Sequence, residues 1–301
     1  MKKFLSVLMA GAMLFGVLTL AGCGDTTEPA AEEGTTTEDT TTTAEFTTVT
    51  EGVLTMSTNA AFPPYEMTDD SGNIVGIDAE IAAAIAEKLG LELQIDDMDF
   101  DGALAAPQSG KSDIVMAGVT VNEERQLVLD FSNTYANGVQ KVIVAEGSDI
   151  TMENLGEQQI GTQKGTTGNI LTTDEFGEDH VIAYDDAIAA VQALNNGQID
   201  CVVIDSAVAD NLVEANPGLT TLDTDYANEE YAIGVAKGNT ALLDAINTAL
   251  QELIDDGTVQ SIIDKYIPTD GTAADEAGTT DEAGATDGAG ATDGAEADTA
   301  A

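Results

Sequence analysis

Ala117-Gly-Val-Thr-Val-Asn-Glu-Glu-Arg125 has the form of a strand end, a tight turn and a helix start, the joint from which layered α/β folds are built. Arg125 is the only arginine in a chain of 301 residues whose formal net charge is -46. A lone guanidinium beside a helix N-terminus suits an anion. Free N–H groups point at it, the helix dipole favours it, and the planar fork can pair with a carboxylate through two parallel hydrogen bonds. Gly118 lets backbone approach a ligand closely, and Thr120 adds a hydroxyl donor. The same nine residues also fit a plainer reading, in which Asn122 caps a surface helix and Arg125 pairs with Glu124 or another neighbour.

Outward from this stretch, apolar strand-like runs alternate with helix-period segments, the pattern of an α/β fold with a mostly parallel sheet. Val53 to Thr58 reads as a first strand, turned by the proline pair in Asn59-Ala-Ala-Phe-Pro-Pro-Tyr-Glu66. Asp78 is a candidate cap for a helix that runs to Leu89 and stops at Gly90. Asp99 opens another helix, which Gly110 closes, and Asp113 to Ala117 feeds the opening stretch. Downstream, Val139 to Ala145, Ile160 to Gln163, Val181 to Ala183, Asp200 to Ile204 and Tyr231 to Ala236 read as strands. Gly165-Thr-Thr-Gly168 turns into a helix, Ala187 begins another, and Leu242, Ile246, Ala249, Leu250 and Leu253 mark a long amphipathic one.

The ends differ in kind. Lys2 and Lys3, the apolar run Phe4 to Leu20 and the small residues after it form a secretory leader over residues 1–22. The run falls short of the ~20 residues that span a bilayer as a permanent helix. Leu20-Ala-Gly-Cys23 resembles the bacterial lipobox, which implies cleavage before Cys23 and lipid on its sulfur. Residues 23–51 and 269–301 are rich in Thr, Ala, Asp, Glu and Gly, with few large apolar side chains, and read as a solvated tether and an acidic repeat tail. A calcium-binding repeat would need a longer period with bulky apolar positions, and the tail has neither.

Composition narrows the chemistry of what lies between. His180 is the sole histidine, which argues against a zinc centre or a Ser-His-Asp triad. Cys201 sits in an apolar run as a small core residue, so no disulfide, metal or cofactor is expected. The acidic balance argues against nucleic acid.

Six motifs then stand in one order: Asn59-Ala-Ala-Phe-Pro-Pro-Tyr-Glu66, Ile74-Val-Gly-Ile-Asp78, Gln108-Ser-Gly-Lys-Ser-Asp113, Ala117 to Arg125, Asp130-Phe-Ser132 and Gly165-Thr-Thr167. Together they resemble the family 3 extracellular solute-binding proteins, the polar amino-acid receptors of ABC importers, over about residues 52–268. The resemblance implies an α/β, two-lobed periplasmic binding protein-like fold of type II, its lobes joined by two hinge strands. Lobe one would be residues 52–136 plus 232–268 and lobe two 137–231, with crossings near Tyr135 to Val139 and Asn228 to Ala232. It further implies a monomer held by lipid on Cys23 at the outer face of the cytoplasmic membrane. The monomer would pass an amino acid to a permease and its ATPase.

By the same resemblance, Arg125 would clamp the ligand α-carboxylate with Gly118 and Thr120, and Asp205 would take the α-ammonium. Phe62 and Phe100 would sandwich the aliphatic part, Asn59 would sit at the side-chain end, and Gln163 and Thr167 would contribute from lobe two. Two residues keep a second reading: Asp205 is also a good N-cap, and the two phenylalanines also suit a core. Asn59 stands where a receptor for basic amino acids would carry a carboxylate. The implied ligand is therefore polar and neutral, or basic and met by Glu66 or Asp99, rather than acidic. Other members of the fold are cyclohexadienyl dehydratases that use a cleft glutamate, for which Glu66 is the one candidate; a surface adhesin or sensor is the remaining alternative.

Overall fold

The computed structural model of the protein describes residues 46–223 and 225–267. The expected leader (1–22), Cys23, most of the tether and the tail (269–301) lie outside the described residues. The tether's last residues already belong to the body: Phe46 packs against the core, and the Val49 N–H donates to Asp113 Oδ1 at 2.6 Å. Among the described residues, no helix is long and apolar enough to cross a membrane.

Strand β1 (Val53–Thr58) is buried from Leu54 onward, as a strand covered on both faces must be. After it come the short strands β2 (Ala61–Phe62), β3 (Glu66–Thr68) and β4 (Ile74–Val75), a separate small sheet. Strands of two or three residues show no alternation, so the sequence reading has no hairpin here. Helix α1 (Ile77–Leu89) ends at Gly90, in the left-handed region as expected, but starts after Gly76. Asp78 is therefore not its cap; it lies in the first turn and is completely buried.

Next come β5 (Glu92–Asp97), α2 (Phe100–Ala105, capped by Asp99), β6 (Ile114–Val115) and the single turn α3 (Glu123–Gln126). Helix α2 stops at Ala105, short of Gly110, and β6 is shorter than the run from Asp113 to Ala117. The next strand, β7 (Leu129–Ala145), is followed by a 3-10 turn over Met152–Glu157. Parallel strands and their helices then alternate: β8 (Ile160–Gln163), α4 (Thr167–Phe176), β9 (Val181–Tyr184), α5 (Ala187–Asn195), β10 (Cys201–Asp205) and α6 (Ser206–Ala215). The described chain closes with β11 (Leu219–Thr221), β12 (Ala227–Ala236), α7 (Thr240–Asp255) and α8 (Thr258–Tyr266).

The main sheet runs β5-β1-β6-β12-β7-β10-β8-β9, with β11 added to β7. Strands β5, β1 and β6 are mutually parallel on one side, and β10, β8 and β9 on the other. Between them runs the antiparallel ribbon of β7 and β12, long enough to belong to both sides. The two expected crossings pair with each other: Ala136 lies opposite Tyr231, Asn137 opposite Glu230, Gly138 opposite Glu229 and Val139 opposite Asn228. Register shifts at Tyr231/Ala232 and Ala232/Gly234 interrupt the ladder beside the crossings, and such irregularities bend and twist a ribbon.

Candidate functional site

A nearly closed cavity of about 10 Å³, room for roughly one water, lies between the two sides of the sheet. Asn59, Phe62, Phe100, Gly118, Thr120, Arg125, Gln163 and Thr167 all line it, so eight of the nine expected ligand residues come together. They arrive from the β1–β2 turn and β2, from α2, from the loop before α3 and α3 itself, from the end of β8 and from the start of α4.

Arg125 is almost fully buried. Its backbone N–H is capped by Asn122 Oδ1 at 2.8 Å, so that part of the plainer reading is correct. Its guanidinium, however, does not pair with Glu124. Nη1 donates to the Thr120 carbonyl at 2.8 Å, Nη2 donates to the Gly165 carbonyl at 3.1 Å, and Cζ stands 5.3 Å from the centre of the Phe100 ring. Among the described residues no carboxylate lies within ion-pairing distance of it. Burial lowers its affinity for the proton, although arginine keeps its charge in practice. The result is a desolvated cation aimed into a cavity, with capacity left for an anion.

The polar groups around it are already bonded to one another. Thr120 Oγ1 donates to Glu229 Oε2 at 2.6 Å and accepts from Thr167 Oγ1 at 2.7 Å; Gln163 Nε2 donates to Asn59 Oδ1 at 2.9 Å. The Gly118 N–H, expected to meet the ligand, donates instead to Asp78 Oδ2 at 2.9 Å. Gly118 is nevertheless required: its φ is 54°, and a Cβ there would meet the Phe62 ring at 2.9 Å. Contacts from the α4 side to Arg125, Thr120 and Asn59, with the ion pair of Lys164 and Asp101 at 2.7 Å outside them, hold the two sides together.

Asp205 is the residue that the structure does not bring to the cavity wall. Its Oδ1 caps α6 by accepting from the N–H groups of Ala207 (2.9 Å) and Val208 (3.1 Å), and its Oδ2 accepts from the Tyr231 hydroxyl at 2.9 Å. It stands one hydroxyl behind the lining residue Tyr231, which also donates to Glu229 Oε1 at 2.8 Å. One hydroxyl hydrogen thus serves two carboxyls. Burial, and then the charge of Glu229, push Asp205 up to about 7.

Glu66, Gln140, Thr166, Glu229 and Tyr231 also line the cavity. Gln140 and Glu229 are polar residues facing inward from strands, and a buried glutamate in a β run was the available signal for the second. Glu66 is completely buried and faces Asp78, whose carboxylate takes hydrogen bonds from the Gly118 N–H and from the Tyr135 hydroxyl at 2.7 Å. Burial pushes Asp78 up to about 6 and Glu66 well above the usual carboxylate range, the neighbouring Asp78 charge adding to the latter.

These shifts fix the sign of a pH effect. An acid whose pKa is raised by folding holds its proton in the folded chain after the unfolded chain has lost it. Stability therefore falls as pH rises from the ordinary carboxylate value, near 4, through the folded value. The ligand-free protein is expected to gain at least about 2 kcal/mol, or roughly 4 °C in Tm, on going from about pH 8 to about pH 5. Carboxylates held low by hydrogen bonds, such as the exposed Asp69 and the half-buried Asp130 beside Lys237, act in the opposite sense only nearer their own lower range. Thermal melts that stayed flat across the interval would mean that Asp78 and Asp205 ionise as ordinary surface groups.

Known proteins can now be set beside this geometry. A probable histidine-binding protein of Neisseria gonorrhoeae is 30% identical over 286 residues, covering 91% of this chain and 98% of its own length. An ancestral arginine-binding protein bound to glutamine superposes with a TM-score of 0.70 at 39% identity, covering 73% of this chain and all of the other. The form bound to arginine superposes with a TM-score of 0.69 at 39% identity, covering 72% and 99%. The family model described as bacterial extracellular solute-binding proteins, family 3, matches residues 54–269. That match spans both sides of the sheet and the ribbon between them, and the chain belongs to this family.

Proposed function

We propose that this chain is an extracytoplasmic receptor that takes a polar L-amino acid into the cavity and delivers it to an ABC import permease driven by its ATPase. The observation that carries the reading is Arg125: the lone arginine, buried without a carboxylate partner among the described residues, in the wall of the cavity between the two sides of the sheet. A buried cation of this kind is stabilised by an anion, and the ligand α-carboxylate supplies one.

The ammonium then falls to Glu229, with Asp205 supporting it from behind Tyr231. This differs from direct contact with Asp205, and it follows from which carboxyl reaches the wall. Phe62 and Phe100 flank the carbon skeleton and keep water out, which strengthens both charge pairs. The lobes are residues 52–136 with 232–268, and 137–231, moving about the β7/β12 crossings. The receptor is exported, carried as a monomer on lipid at Cys23, with 23–51 as tether. The names of the relatives support the ligand class: arginine, glutamine and histidine are all polar amino acids.

A thermal-shift screen of the twenty amino acids with cystine, ornithine and citrulline tests the reading. A true ligand at a hundredfold excess over Kd is expected to stabilise the protein by about 2.7 kcal/mol. No shift with any amino acid would overturn it. Glu66, a buried acid pushed well above the usual carboxylate range by burial and by Asp78, is also what a dehydratase would use, so turnover of arogenate or prephenate by the same preparation would favour that reading instead.

A further inference from the structure

Three side-chain oxygens stand in a row at the cavity wall and behind it: Glu229 Oε1, Tyr231 Oη and Asp205 Oδ2, separated by 2.8 Å and 2.9 Å. Both gaps are hydrogen-bond lengths, and each needs a hydrogen. Tyr231 brings one. Burial and the two carboxyls hold its hydroxyl well above the usual tyrosine range, so that hydrogen stays. The other must come from a carboxyl. Glu229 has donors on both oxygens: Oε1 also accepts from Gln140 Nε2, and Oε2 accepts from Thr120 Oγ1 at 2.6 Å. Asp205 Oδ1 is likewise filled, by the N–H groups of Ala207 and Val208. The place left is Asp205 Oδ2. A hydrogen there donates to Tyr231 and Tyr231 donates to Glu229, so no contact in the row lacks a hydrogen.

The surroundings agree with that count. Asp205 is completely buried. The ionisable groups that face it are Glu229 and Tyr231 on β12, Tyr65 before β3 and Glu66 on β3, and none is a cation. Gly138 on β7 packs against the pair so closely that a Cβ there would meet Asp205 Oδ2 at 2.5 Å and the Tyr231 oxygen at 3.1 Å. Gly138, Ser206 and Glu229 also line a hollow of about 640 Å³ that opens to solvent past the exposed Asn137, Asn228 and Glu230. Burial and the Glu229 charge, which push Asp205 up to about 7, favour the same proton.

We propose that Asp205 carries a proton in the free protein and surrenders it when an amino acid binds, with the Tyr231 hydroxyl as the part that turns. The inference rests on the amino-acid-receptor reading above, and it concerns the α-ammonium rather than the side chain. An ammonium arriving at Glu229 and Tyr231 brings only donors. It donates to Glu229 in place of Tyr231, whose own hydrogen turns toward Asp205 Oδ2. Two hydrogens cannot share that gap. The Asp205 O–H bond breaks, its electron pair stays on the carboxylate, and the proton leaves to water. The carboxylate so formed backs the ammonium through Tyr231. Capture is thereby tied to pH for every ligand alike: affinity climbs with pH while free Asp205 is protonated and is level above that range. A receptor built this way loosens its hold in acid surroundings, whatever the side chain of its ligand.

Titration calorimetry of the full chain with L-glutamine and with L-arginine, in buffers of differing ionisation enthalpy, counts the protons released. At about pH 5.5 about one proton is expected to leave per ligand bound, and at about pH 8.5 none. Kd is expected to fall roughly tenfold per pH unit from about pH 5 to about pH 7. Asp205→Asn imitates the protonated acid: its amide donates to Tyr231 and its oxygen keeps the α6 cap. It is expected to release no proton and to bind with a Kd that no longer follows pH. Tyr231→Phe keeps Asp205 and removes the turning hydroxyl, and it is expected to lose the release as well. A thermal melt shows that each variant is folded. The quantity compared is wild type minus variant, so a proton moved by a charged ligand side chain cancels.

Binding by the wild type at about pH 5.5 without proton release would overturn the inference, whatever the variants do. So would a release that survives in Asp205→Asn or in Tyr231→Phe. If neither glutamine nor arginine binds, the amino acid found by the thermal-shift screen replaces them, because the ammonium is common to all. If amino acids bind with one Kd at every pH, this inference falls and the receptor reading stands. If no amino acid binds, both fall.

Discussion

Arg125→Ala is expected to weaken amino-acid binding by about 2–5 kcal/mol, a loss of roughly thirtyfold to several thousandfold in Kd. The reason is the state in which the substitution leaves the partner. The ligand carboxylate would enter a wall that is almost wholly shielded from water, with no cation among the described residues to replace the lost one. Two further consequences follow from the guanidinium's own bonds. The carbonyls of Thr120 and Gly165 lose their donors, and Gly165 lies across the cavity from α3, so closure over the ligand is weakened as well. Arg125→Lys keeps a charge but not the fork, and is expected to recover only part of the loss. Calorimetry with the amino acid found by the screen measures all three proteins, and a thermal melt of each free protein separates loss of ligand from loss of fold. Unchanged affinity in Arg125→Ala would falsify the carboxylate assignment.

Gly76→Ala is expected to cost about 3 kcal/mol or more in folding stability, although position 76 touches no ligand. Its φ of 132° and ψ of -179° lie in a region that only glycine enters comfortably, worth ~1–3 kcal/mol of strain in any other residue. A Cβ there would also drive into the carbonyl groups of Tyr65 and Pro64, reaching the Tyr65 carbonyl carbon at 2.6 Å and the Pro64 oxygen at 2.9 Å. Neither carbonyl can step aside, because Tyr65 accepts the Asp78 N–H at 2.9 Å and Pro64 accepts the Ile77 N–H at 3.1 Å. The hairpin that carries Phe62 and Glu66 is thereby locked to the start of α1 by contacts that a single methyl group breaks. Denaturant unfolding should show the midpoint fall with little change in slope. A stability within about 0.5 kcal/mol of wild type would mean that the turn relaxes freely.

Why some of the site was legible and some was not can be argued residue by residue. Arg125 stood out because it is unique in a polyanion, whereas Phe62, Phe100, Asn59 and Thr167 were named only through the resemblance to a known family. Gln140 and Glu229 occupy β runs, where alternation marks a face as inward or outward but does not say whether the inward space is core or cavity. Asp205 was legible as a cap, and it is one; that Tyr231 stands between it and the cavity depends on β12 lying next to β7.

The sequence by itself determined the alternation of strands and helices and the singling out of one arginine in a polyanion. These are local properties, set by side-chain periodicity, turn residues and composition. Only the tertiary structure decided that Glu66 is buried against Asp78 without a donor, that Gly118 spends its N–H on that pair, and that Glu229 rather than Asp205 reaches the wall. The physical reason is that desolvation and charge coupling depend on distance through the fold. Thr120 and Glu229 touch although they are 109 residues apart, and no pattern along the chain records such a contact.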